Sequence, residues 1–178
     1  ESAKWGDGTP ITGHDVKFSW QVGGSKNVAT GEKEVYTQVE EIIIDPINPK
    51  KFTFKMRDAK YDFNHLGTFY IVPKHLEEKV FEKTKNEAGA YEKMTVYNSD
   101  PTNPGLYSGP YIVTELKLGS HIILERNPHF YGQKPAIKKI IVKLPILLDE
   151  NQKPIIDTIN KFNKKGFVPN FKFMEQFI

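Results

Sequence analysis

Lys4-Trp5-Gly6-Asp7-Gly8-Thr9-Pro10-Ile11-Thr12-Gly13-His14-Asp15-Val16-Lys17-Phe18-Ser19-Trp20 is the stretch on which the fold turns. Asp7-Gly8-Thr9-Pro10 is a tight turn, with Gly8 free to reverse the chain and Pro10 fixing its exit. Thr12 then stands as a helix N-cap, with Asp15 as the acidic residue of a first turn. The apolar residues disagree with that cap. Val16, Phe18, Trp20 and Val22 alternate, which by period argues for a strand. Gly23-Gly24 would stop a helix. From these residues alone both readings stand.

Outward from this stretch the patterns are plainer. Residues 32–38 suit a short helix. Residues 39–45, centred on Ile42-Ile43-Ile44, read as a strand, interrupted by Pro46-Ile47-Asn48-Pro49. Phe52, Phe54 and Met56 alternate with Thr53, Lys55 and Arg57, so a second strand pairs with the first as a hairpin. Pro73 opens a helix over 74–83, carried by Leu76, Val80 and Phe81. A further short helix is expected over 87–94. Residues 98–105 are crowded with turn formers and read as a surface loop. Residues 110–118 and 121–127 flank Gly119-Ser120 as the clearest hairpin. Residues 136–144 make another strand. A helix over 149–165 is broken early by Pro154 and stopped by Gly166. The sum is an α+β chain with no internal repeat.

Composition narrows the function. The chain has 178 residues, 38% of them apolar, enough to build a core. Its 25 basic and 22 acidic residues are interspersed, so no nucleic-acid partner is expected; Lys138-Lys139 and Lys164-Lys165 read as solvated faces. Without cysteine there is no disulfide, thiolate zinc site or cysteine nucleophile. No apolar run approaches the roughly 20 residues of a membrane span. The start at Glu1, without methionine, reads as an excised or processed segment.

Catalytic patterns are missing from the sequence. No two of His14, His65, His75, His121 and His129 have the i, i+4 spacing of a zinc pair. Glu40-Glu41 and Glu77-Glu78 are sequence neighbours, which point to different faces and make no acid–base dyad. Neither a nucleophile elbow nor a phosphate loop occurs. The chain reads as no enzyme, with no cofactor and no metal. Its 12 Phe, 8 Tyr and 2 Trp are read mostly as core. Trp20, Tyr107 and Tyr111 are the candidate ligand contacts, because indole and phenol combine apolar area with a polar tip.

The stretch from Lys4 to Trp20 resembles a signature of the family 5 extracellular solute-binding proteins, in which a capped helix begins at an Asp-Val pair. Three more stretches are similar to that family, in order. They are Phe69-Tyr70-Ile71-Val72-Pro73-Lys74-His75-Leu76, Ser108-Gly109-Pro110-Tyr111 and Leu124-Glu125-Arg126-Asn127-Pro128-His129-Phe130-Tyr131-Gly132. Ser108 stands where threonine is commoner, and Phe130-Tyr131 replaces the usual aromatic pair. The resemblance spans about 4–144 and favours the helix over the strand for 12–22.

The resemblance implies part of one lobe of a type II periplasmic-binding-protein fold, an α+β arrangement with a mixed β-sheet and short helices. It divides the chain into a smaller subdomain over 1–108, the first strands of a larger one over 109–144, and a divergent tail over 145–178 that departs from the family pattern. Complete members are longer and close two lobes on a ligand, so this chain reads as an incomplete piece, by gene truncation or as an excised fragment. The implied role is reversible binding of peptides or similar solutes, nickel complexes among them, for delivery to an ABC permease, at the periplasm or cell surface. Trp5, Asp7, Gly8, Thr9, Pro10, Gly109, Pro110, Asn127 and Pro128 are expected to be architectural, and Trp5 is expected near Trp20. The rival reading is a non-transport interaction module. Unpaired strands and exposed Val113, Leu116, Ile123 and Ile141 would be covered by the tail or, in a homodimer, by a second copy.

Overall fold

The computed structural model describes residues 2–59 and 67–143. The tail over 145–178, the helix expected over 149–165, and His65 lie outside the described residues. Helix α1 spans Gly13–Gly24, α2 Lys33–Thr37, and the hairpin strands β1 and β2 Val39–Ile44 and Phe52–Met56. Then come α3 (Lys74–Thr84), α4 (Ala90–Met94), α5 (Val96–Ser99) and a 3₁₀ turn at Pro104–Leu106. Strands β3 (Tyr111–Lys117), β4 (His121–Arg126) and β5 (Lys139–Lys143) close the order. The chain is α+β, and each strand pairing among the described residues is antiparallel, in two sheets ordered β1-β2 and β3-β4-β5.

The cap decides the first conflict. The Thr12 hydroxyl accepts from the His14 N–H at 3.2 Å, and Asp15 reaches back to the Thr12 N–H at 2.9 Å. The alternation has a different cause from a strand. At 3.6 residues per turn, positions four apart lie about 40° from each other, and positions two apart lie on nearly opposite sides. Val16 and Trp20 therefore share one face, which packs on Val39, Ile42, Phe54 and Met56 of the first hairpin. Phe18 and Val22 share the other, which packs on Val28, Phe81 and Tyr91. A helix with two buried faces mimics a strand.

Other boundaries moved for local reasons. The helix expected over 87–94 begins only at Ala90, because Gly89 holds a left-handed φ of 71°. Residues 98–105 are not a plain surface loop. Ser99 ends α5, the Asn103 side chain accepts from the Gly105 N–H at 3.0 Å, and Gly105 and Leu106 are buried. The turn formers there cap short helices. The strand expected over 136–144 starts at Lys139. Val113 is buried, covered by Leu106, Tyr107 and Leu124, in a cluster that also takes Leu76 and Tyr97. Residues on both sides of position 108 thus share one core. Ile123 is half-buried, and Ile141 is exposed.

Candidate functional site

The turn after Trp5 is closed by its own backbone and then locked from three sides. Gly8 N–H donates to the Trp5 carbonyl at 2.9 Å, Trp5 N–H to Thr9 at 2.8 Å, and Thr9 N–H to the Asp7 carboxylate at 2.9 Å. Gly8 sits at φ 90° against the His129 ring, where any side chain would be strained. Pro10 bridges back to Lys4. Gly6 N–H donates to the Tyr107 carbonyl at 2.7 Å, which ties the turn to the segment entering β3. His75 Nε2 lies 2.9 Å from Asp7 Oδ2 and ties it to α3. Burial opposes ionisation of Asp7, but the bonds from Thr9 and His75 outweigh it and hold the carboxyl below its ordinary value.

Beneath the turn, Asp15 serves two helices. Its Oδ2 accepts from the Thr12 N–H and the Thr12 hydroxyl, at 2.9 and 3.2 Å. Its Oδ1 accepts from the Trp5 indole at 3.4 Å and from the Lys74 N–H, the first of α3, at 3.1 Å. One carboxylate thereby satisfies orphan donors at the starts of α1 and α3 and at a side chain that is 1% exposed. Ser19 adds a stitch. Its hydroxyl donates to the Asp15 carbonyl at 2.7 Å and accepts from the Val72 N–H at 2.8 Å.

The second set of motif residues bolts the other hairpin. Buried Asn127 donates its backbone N–H to Pro110 and its side-chain amide to Gly109, both at 2.9 Å, and accepts from His129 N–H at 2.9 Å. Pro128 follows as the first residue that cannot extend β4.

The three candidate ligand contacts are not gathered at one place. Tyr107 and Tyr111 share the cluster under β3–β5, while Trp20 belongs to the cluster over β1–β2. Each polar tip is taken by a backbone carbonyl: Trp20 by Tyr36 at 3.0 Å, Tyr107 by Pro101 at 2.5 Å, and Tyr111 by Ile137 at 3.0 Å. Tyr107 is buried, and burial together with Asp100 pushes its phenol up to about 12. Half-buried Trp20 lines an open cleft of about 470 Å³ with Gln21, Tyr36, Thr37 and Arg57. Trp5 and Trp20 have separate surroundings: Trp5 meets Asp15 and His75, Trp20 meets Tyr36. Among the described residues no cluster of His, Cys, Asp and Glu could hold a metal ion, and no helix is long and apolar enough to cross a membrane.

Sequence reasoning passed over Asp15 as a double cap, Ser19, and Glu77. The last is fully buried. It stands four residues before Phe81, on the inward face of α3, and that spacing was the available signal.

A capped helix locked under a tight turn, a small hairpin against it, and a three-stranded antiparallel sheet bolted alongside make up part of one lobe of a type II periplasmic-binding-protein fold. The structure of NikZ from Campylobacter jejuni in complex with Ni(L-His) is similar, with a TM-score of 0.61 at 22% identity, covering 93% of this chain and 29% of that one.

The chain belongs to the bacterial extracellular solute-binding proteins of family 5, whose family model ("family 5 Middle") matches residues 1–145. Among curated relatives, the periplasmic oligopeptide-binding protein OppA of Salmonella typhimurium is 30% identical over 166 residues, 82% of this chain and 27% of the relative. The probable peptide-binding protein YejA of Agrobacterium fabrum is 28% identical over 133 residues, 75% of this chain. The chain spans about a fifth of that relative's length.

Proposed function

We propose that this chain is the part of a solute-binding protein that helps enclose a peptide or similar solute for delivery to a membrane ABC permease, outside the cytoplasmic membrane. The observation that carries the reading is the family match across residues 1–145. The relatives bear the names of binding proteins, which supports reversible binding in place of catalysis. In this reading residues 1–108 form a smaller subdomain and residues 109–144 open a larger one. The turn, Asp15 and Asn127 hold the frame, while Trp20 offers the exposed part of its ring along an open cleft. Buried Tyr107 and half-buried Tyr111 act through the backbone segments their phenols hold.

A thermal-shift panel of short peptides and nickel–amino-acid complexes tests the role. A peptide at ten times its Kd stabilises the folded state by about 1.4 kcal/mol. For a chain of this size that raises Tm by about 3–6 °C. A flat panel at millimolar ligand would count against the reading. Self-association is the second reading. Ile137 and Ile141 are exposed on and beside the outer strand β5, a surface that suits a second copy. A sedimentation coefficient independent of concentration would remove it.

A further inference from the structure

Among the described residues Glu77 is the one fully buried carboxyl that the family motifs leave unused. Its Oε1 accepts from the Thr95 hydroxyl at 2.6 Å and from the Val96 N–H at 2.9 Å, so α3 is tied to the start of α5. Its Oε2 is sealed from solvent and has no hydrogen-bond partner among the described residues. The Tyr91 phenol stands near the carboxyl without a well-formed bond to that oxygen.

Among the described residues no cation offsets a charge here. From α4 the group is faced by Tyr91, and from α5 by Tyr97. Tyr107 and then Asp100 lie behind Tyr97. From α1, Asp15 meets the first residue of α3. On α3 itself, Lys74 is paired with Glu78 at the surface, and His75 faces Asp7. The first turn of a helix favours a negative charge. Burial opposes it and prevails, lifting the carboxyl above its ordinary value against the bonds from Thr95, Tyr91, Val96 and the Tyr97 N–H. An ionised Glu77 would hold a full charge away from water with only neutral donors beside it, which is costly. A neutral Glu77 keeps both donors on Oε1 and gains an Oε2–H for the Tyr91 phenol oxygen.

We propose that Glu77 is a proton-operated latch, which in its neutral form fastens α5 to α3 and on losing its proton releases the 95–99 segment. The segment matters beyond itself. The Tyr97 phenol donates to the Leu106 carbonyl at 3.2 Å, and Val96 and Tyr97 pack against the core under β3 and β4. Release therefore loosens the support of the sheet. The sign follows from the folded state holding the proton more tightly than the unfolded chain. The latch is fully present below the ordinary glutamate value of 4.5 and is lost as pH rises through the higher folded value.

Carbon-13 NMR of the Glu77 carboxyl in the whole chain reads the titration. Amide exchange of residues 95–99, corrected for the intrinsic rise of exchange with pH, reads the release. The carboxyl is expected to titrate above the ordinary glutamate range, with protection of those amides falling at the same midpoint. Glu77→Gln keeps the acceptor and supplies a permanent N–H, so its protection should not change with pH. Thr95→Val removes a donor to the anion and should move the Glu77 midpoint higher, a test that does not need the Gln variant to fold. A Glu77 midpoint at or below the ordinary value would overturn the proposal. So would protection of residues 95–99 that stays constant through the midpoint.

Discussion

Asp15→Ala is the substitution that most exposes how this lobe is assembled. It removes an acceptor shared by Thr12, Trp5 and Lys74 while leaving every apolar cluster intact. Losing the return bond of the capping box, from the Thr12 N–H to Asp15, costs about 1 kcal/mol, since water reaches that half-buried end. The Trp5 indole N–H has no such relief, because the ring is almost fully enclosed. An unsatisfied buried donor costs about 1–3 kcal/mol. The Lys74 N–H, partly buried at the start of α3, adds about 1 kcal/mol on the same scale. The sum is a loss of about 3–5 kcal/mol. Asp15→Asn keeps one carbonyl oxygen and turns the other into a donor, so it can serve Thr12 or the Trp5–Lys74 pair but not both; about half the loss is expected. Urea unfolding followed by tryptophan emission measures both, with m expected to stay constant. An Asp15→Ala midpoint within about 1 kcal/mol of the parent would refute the double cap.

Gly105→Ala would place a Cβ 2.6 Å from Asp7 Oδ2 and 2.9 Å from a Leu76 methyl. It should cost about 1–3 kcal/mol by overpacking, read as a lower denaturant midpoint. Asp7 is held below its ordinary value, so its contribution is present above 3.8 and is lost as pH falls through the folded value. Acid titration of stability should therefore show a step that Asp7→Asn abolishes. Trp20→Ala removes a half-buried ring and its bond to Tyr36, and should cost about 2–4 kcal/mol, toward the low side of large-aromatic truncations; an unchanged midpoint would show the ring to be a surface feature only.

The architecture was legible where local chemistry was unambiguous. Thr12 with Asp15 marked a helix, Gly119 marked a hairpin, and Pro73 marked the approach to α3. Periodicity failed at Val16 to Val22 because it assumes one buried face, and α1 has two. The turn formers of 98–105 misled because Asn and Asp cap helices as readily as they make loops. Asp15 as a double cap was invisible because two of its three partners, Trp5 and Lys74, lie outside α1 and its cap. Glu77 was read only as a neighbour of Glu78 that makes no acid–base dyad with it. Only its position relative to Phe81 betrayed the inward face, and its partners at 95–96 come from a separate helix.

A tryptophan-fluorescence titration with tri- to pentapeptides bears most directly on the claim that this chain belongs to a peptide-enclosing receptor. Trp5 is sealed in the frame, so Trp20 along its cleft is the indole able to respond. The reading predicts a saturable change in emission, weak because a partial lobe encloses little of the ligand, and its loss in Trp20→Phe with the fold intact. Emission that stays flat up to millimolar peptide, or a change that survives Trp20→Phe, would contradict it.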